Sequence, residues 1–100
     1  MNSLPRNWWD QLPIAVLRFQ KDVQGTRFGW VDLEVPGLSL LFDACVVHRH
    51  TKSNALWVMP RAGLRFTDRD VWRRWSDRIL RQLADRYPLD FSDFDDGDLP

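Results

Sequence analysis

The stretch TDRDVWRRWSDRILRQLADRYP, residues 67–88, decides the fold. Trp72, Trp75, Ile79 and Leu83 recur at helical spacing and fall on a narrow arc of one face, and Tyr87 extends that stripe. Thr67 followed three positions later by Asp70 reads as a helix N-cap in a capping-box variant. Pro88 ends the helix, because a proline has no N–H to continue the ladder. A single helix with one apolar stripe has to bury it against something else, so the segments upstream must supply the other layer.

Those segments read as strands. In Arg27–Val35 the apolar residues Val31, Leu33 and Val35 alternate with Trp30, Asp32 and Glu34, the period-2 signature of a half-buried strand. A turn around Gly25 separates it from an earlier run, Ile14–Gln20. Pro36-Gly37 is a turn dipeptide, and Leu38–Arg49 follows as a long strand with Val46 and Val47 near its end. The polar cluster Thr51–Asn54 leads into a fourth strand, Ala55–Met59, stopped by Pro60. Short connections between successive strands point to an antiparallel meander. The expected fold class is therefore α+β, a four-stranded antiparallel β-meander with a C-terminal α-helix packed on one face. The expected organisation is an N-terminal arm over residues 1–12, one domain over 13–88 and an acidic tail over 89–100.

Whole-chain numbers agree with one small domain. At 100 residues, 44% hydrophobic and 13% aromatic, the chain can build a core without staples. The lone cysteine, Cys45, has no partner for a disulfide within the chain, and residues 1–12 carry no recognisable signal peptide, which points to a reducing cytoplasm. No apolar run approaches the roughly 20 residues that cross a bilayer, so no membrane association is expected.

The net charge of zero hides two opposed blocks. Residues 61–86 hold eight arginines against four aspartates, whereas residues 87–100 hold five aspartates and no base. Asp70 and Arg74, Asp77 and Arg81, and Arg81 and Asp85 stand four apart, a spacing that neutralises the outer helix face. Arg61, Arg65, Arg69 and Arg73 have fewer acids nearby. They are the candidate phosphate-contacting group, and DNA or RNA is the candidate partner. Arg69 supports this, because the helix dipole disfavours a cation in the first turn. The same dipole makes the amides near Asp68–Asp70 a candidate anion site, for which the local aspartates compete.

Aromatic residues suggest a different class of function. Trp30 lies on the polar side of its strand, as a dimer contact or a binding platform. Phe91 and Phe94 stand among aspartates, like a short acidic-aromatic interaction motif that docks on a basic surface or on a protein partner. The adjacent Trp8 and Trp9 are expected to pack on the domain or on a second copy. Strict strand alternation puts Asp43 and Cys45 on one face and His48 and His50 on the other. Two histidines are too few for a zinc site, and a Cys-His nucleophile pair fails by the same alternation. No catalytic residue, metal or cofactor is expected, so the chain reads as non-enzymatic.

Several segments resemble the stage V sporulation protein G family of small bacterial septation regulators, and more closely the small phage and prophage proteins that share its layout. The segments are GWVDLEVPGLSL (29–40), FDACVVHR (42–49), ALWVMPRA (55–62) and DRDVWRRWSDRILRQLADRYP (68–88). The resemblance covers about residues 14–88. It implies a sheet-plus-helix fold, a homodimer that often forms through strands, and nucleic-acid binding. None of the matching motifs is catalytic.

Overall fold

The computed structural model describes residues 12–91. It contains four strands, β1 (Ala15–Gln24), β2 (Arg27–Val35), β3 (Leu40–Arg49) and β4 (Leu56–Met59), and one helix, α1 (Arg69–Arg86). A 3₁₀ turn, Pro36–Leu38, joins β2 to β3. The strands form one antiparallel sheet in the order β1-β2-β3-β4. The helix lies across one face of it, touching β4 with its first half and β1 with its second. This is the expected α+β meander with its helix.

The boundaries differ where local chemistry is ambiguous. β1 runs on to Gln24, beyond the apolar stretch, because the tight turn at Gly25 (φ 61°) keeps the two arms paired to their ends. The helix N-cap is Asp68, not Thr67. Its Oδ1 accepts from the N–H of Asp70 at 2.8 Å and of Val71 at 3.2 Å. Asp at this position also places its charge against the positive end of the helix dipole.

The core lies between sheet and helix. Val31, Leu33, Cys45, Val47 and Val58 from the sheet meet Ile79, Leu80 and Leu83 from α1. The strand register shifts at four places, between Val16 and Arg18 and between Lys21 and Gln24 in the β1–β2 pairing, and between Arg27 and Gly29 and between Val31 and Leu33 in the β2–β3 pairing, and the last of these moves a candidate residue. Leu33 pairs with Phe42 and Val31 with Cys45, so Asp43 and Ala44 together face Asp32 as a β-bulge. Ala44 takes φ 56°, and its N–H donates to Asp32 Oδ1 at 3.0 Å. The bulge overturns the expected common face of Asp43 and Cys45. Cys45 points into the core, while Asp43 is exposed.

Side chains of the helix close both edges of the sheet. On β4, the Val58 N–H donates to Ser76 Oγ (2.9 Å) and the Trp72 indole Nε1–H donates to the Val58 carbonyl (2.8 Å). On β1, the Val16 N–H donates to Gln82 Oε1 (2.9 Å), and Gln82 Nε2 donates to the Ile14 carbonyl (2.6 Å). Arg86 donates to the Val16 carbonyl, and the Phe19 N–H reaches the Tyr87 hydroxyl. An uncapped edge offers a row of groups for pairing with another chain, and here much of that row is taken. Ser76 is 0% exposed, and its hydroxyl is the partner of the inward N–H of Val58 among the described residues. We expect Ser76→Ala to cost about 1–3 kcal/mol, the usual penalty for an orphaned buried donor, measurable by urea denaturation.

Candidate nucleic-acid interface

The four arginines singled out from the sequence sit on the β4–α1 loop and the first turns of α1. Arg61 is exposed and pairs with Asp43, its Nη1 standing 2.6 Å from Oδ1. The bulge in β3 is what turns Asp43 towards this loop. Arg65 is exposed and makes no ion pair or hydrogen bond among the described residues. Arg69 lies over the Trp72 ring, 5.7 Å from its centroid. Arg73 is exposed one turn further along. The helix amides expected to attract an anion are occupied in cis, since Asp68 accepts from two of them. Any phosphate contact in this region must therefore come from side chains.

Beside the loop is a groove of about 420 Å³. Ile14, Val35, Phe42, Leu64, Phe66 and Trp75 supply apolar walls. Arg65, Thr67, Asp68 and Arg78 also line it. Phe66 packs on Trp75, with ring centroids 5.0 Å apart and planes at 52°. Arg78 donates to the Leu12 carbonyl and so holds the chain entry to β1 at the groove. No local signal marks this groove in the sequence. It is assembled from the ends of two strands, the segment entering β1, a loop and a helix, and its aromatic members Phe42 and Trp75 lie more than 30 positions apart.

Among the described residues, no helix lies on the opposite sheet face. Cross-strand pairing aligns Gln20, Trp30, Val46 and Met59 in one row, and Arg27, His48 and Trp57 in the next. Trp30 is half-buried. Its Nε1–H donates to Asp22 Oδ2 at 3.0 Å, and the Arg27 guanidinium lies 4.7 Å from its ring. Arg27 also pairs with Asp22 at 3.1 Å. His48 stacks on Trp57 with centroids 5.2 Å apart and planes at 16°, and is hydrogen-bonded to the Thr26 hydroxyl. Burial, followed by the nearby Arg27 charge, lowers the His48 pKa against the opposing effect of Thr26. The imidazole therefore stays neutral at neutral pH.

Phe91 is the clear correction among the candidate partner contacts. It is 2% exposed and belongs to the core, where its ring meets Phe19 and Phe28. Its N–H donates to the Tyr87 carbonyl, and Asp90 pairs with Lys21 at 3.4 Å. The domain therefore extends past Pro88 to Phe91. Phe94, Trp8 and Trp9 lie outside the described residues.

Trp72 and Trp75 are both half-buried on the helix stripe, and Trp72 also uses its N–H to cap β4. Cys45 is fully buried, and that burial pushes its thiol pKa up to about 11. A thiol so held is neutral and lacks the thiolate character of a nucleophile. Among the described residues, no three His, Cys, Asp or Glu side chains gather where they could hold a metal ion. No described helix is long and apolar enough to cross a membrane. Comparison with protein-family models, with curated proteins and with solved structures finds no match to this chain.

Proposed function

We propose that this chain is a small, non-enzymatic nucleic-acid-binding protein of an accessory or regulatory kind, acting in the cytoplasm of a bacterium or on behalf of a phage. The observation that carries the reading is Arg65, exposed and unpaired among the described residues, on a loop whose flanks hold Arg61, Arg69 and Arg73. Four arginines against Asp68 and Asp70 leave this segment, residues 61–73, at +2. The resemblance to the sporulation protein G family supports the same partner. Phosphate contacts release counterions, so binding must weaken with salt. Contacts from Arg65 alone up to all four arginines predict roughly a 3- to 50-fold loss of affinity to a single strand between about 50 and 200 mM salt. Fluorescence anisotropy with a labelled oligonucleotide measures this. Removing residues 92–100, which takes away four aspartates, is expected to strengthen binding. An absence of binding at low salt, with or without the tail, would end this reading.

A second reading, that of a protein-interaction module, has its own support in the sheet face away from α1, which no described residue covers. Trp30, Val46, Trp57 and Met59 are half-exposed there in adjacent rows. A second copy is the first partner to test. The helix caps oppose edge-to-edge pairing at Ile14–Phe19 and at Val58, so a homodimer would use this face rather than those edges. Met59→Glu then converts a dimer into a monomer in sedimentation velocity, and a wild-type chain that is monomeric at high micromolar concentration excludes the arrangement. The acidic tail with Phe94 remains a second handle for a protein partner in this reading.

A further inference from the structure

We infer that the groove beside Arg65 is a nucleobase pocket, and that the nucleic acid this protein takes is single-stranded. The inference rests on the nucleic-acid reading above and adds to it a site and a strandedness.

Its size fits. A volume of about 420 Å³ falls within the range of sites that hold small flat ligands. Its walls fit as well. Phe42, Phe66 and Trp75 present ring surface, and Ile14, Val35 and Leu64 fill the gaps between them. Bases of every kind carry a π-face, and aromatic side chains bind them with little sequence demand. The polar groups are few and stand close together. Asp68 uses Oδ1 for the helix amides, and its Oδ2 makes no hydrogen bond among the described residues. That oxygen can accept from a base amino or imino group, and the Thr67 hydroxyl can do either.

Charge selects the occupant. An acyl chain or an apolar peptide would also suit the walls, and a carboxylate would pair with Arg65, but neither makes use of the Asp68 oxygen and the Thr67 hydroxyl that line the same groove beside the rings. In a nucleotide the base and its phosphate are joined through one sugar, so a base pocket needs a cation a side chain's length away. Arg65 is that cation. The sheet face away from α1 offers aromatic rings too, but the described residues there carry the wrong charge. There Arg18 and Arg27 are paired with Asp32 and Asp22, and Glu34 leaves the set at −1. A polyanion is drawn to the groove and not to that face. Bases in a duplex are already stacked and paired, and extruding one is costly, so the pocket selects a single strand.

The test compares three probes of equal length at one low salt concentration: oligo(dT), an abasic oligomer with the same sugar-phosphate backbone, and a duplex. We expect oligo(dT) to bind roughly 5- to 100-fold tighter than the abasic oligomer, the range that base–aromatic stacking covers. Phe66→Leu keeps the apolar bulk but removes the π-face, and should erase most of that difference while leaving abasic binding unchanged. Leu64→Trp, made at a half-exposed loop position, fills the groove and should do the same if Phe66→Leu proves unstable. Equal binding of oligo(dT) and the abasic oligomer, or preference for the duplex, overturns the pocket and leaves a backbone-only nucleic-acid binder. Loss of the abasic probe with Arg65→Ala alongside that equality would confirm which reading survives. No binding of any probe overturns both.

Discussion

Replacing Phe91 by alanine is expected to lower the unfolding free energy by about 3–5 kcal/mol, as for other fully buried phenylalanines. Removing residues 92–100 is expected to cost far less, about 1 kcal/mol or under, because that segment is mostly small and acidic. The contrast follows from where the ring sits. Phe91 is 2% exposed, with its centroid 5.0 Å from that of Phe19 and 5.4 Å from that of Phe28, at interplanar angles of 69° and 82°. Both are edge-to-face contacts, each contributing about 0.5–1.5 kcal/mol beyond the area buried. Tyr87 meets the same Phe19 ring at 5.4 Å and accepts the Phe91 N–H through its carbonyl. The cluster also holds cations: Arg49 lies 4.2 Å from the Phe28 centroid and Lys21 lies 5.4 Å from it. Asp90 is tied to both, by its carboxylate to Lys21 and by its carbonyl to Arg49. Guanidinium denaturation of the two variants side by side measures the contrast. Equal stability of Phe91→Ala and wild type would show that the chain after Pro88 does not belong to the domain. The practical consequence is direct: a truncation meant to probe the acidic tail must begin after Phe91, or it reports unfolding instead of binding.

Gly29→Ala is expected to destabilise by about 3 kcal/mol, the upper end of the overpacking range. A Cβ at this position would stand 2.5 Å from the backbone carbonyl oxygen of Gln20 and 2.6 Å from a ring carbon of Phe19. Gly29 pairs with Lys21 on β1, and the Phe19 ring leans over it from two positions along that strand. The aromatic ring fills the space that a side chain would otherwise take. The ring could shift, but the carbonyl cannot without breaking the β1–β2 ladder. Thermal unfolding should fall by roughly 12–24 °C for a domain of this size. Adding Phe19→Ala should not restore it, because the backbone clash stays. Recovery in the double variant would mean that the ring alone causes the strain.

Both residues bear on how far the sequence can be read. Phe91 stands in a locally acidic stretch and looks like the start of an exposed tail. Its burial is decided by Phe19 and Phe28, more than 60 positions away, and no periodicity in residues 87–100 signals it. The bulge at Asp43–Ala44 is similarly silent. Alanine gives no hint of a positive φ, so strict alternation placed Asp43 beside Cys45 when it faces Arg61 instead. The cap shifted by one residue because Thr67 and Asp68 are both good N-caps, and only the path of the backbone selects between them. By contrast, the arginine cluster was visible as a charge imbalance, and its position on the loop and first helical turns follows from the element order.

Periodicity is a property of neighbouring residues, and it was enough for the class of fold. The alternation in β2, the turn at Pro36-Gly37 and the stripe Trp72–Trp75–Ile79–Leu83 determine a meander with one covering helix. They also determine which face of that helix is buried. Tertiary structure alone decided what the polar members of the helix do. Ser76, Gln82 and Arg86 look locally like ordinary helix residues, but each completes a hydrogen bond to an edge strand, and Gln82 reaches Val16 across 66 positions. The groove beside Arg65 has the same origin. A side chain's partner is set by which surfaces the whole chain brings within about 3 Å of it, and such distances are fixed only once sheet, loop and helix have packed together.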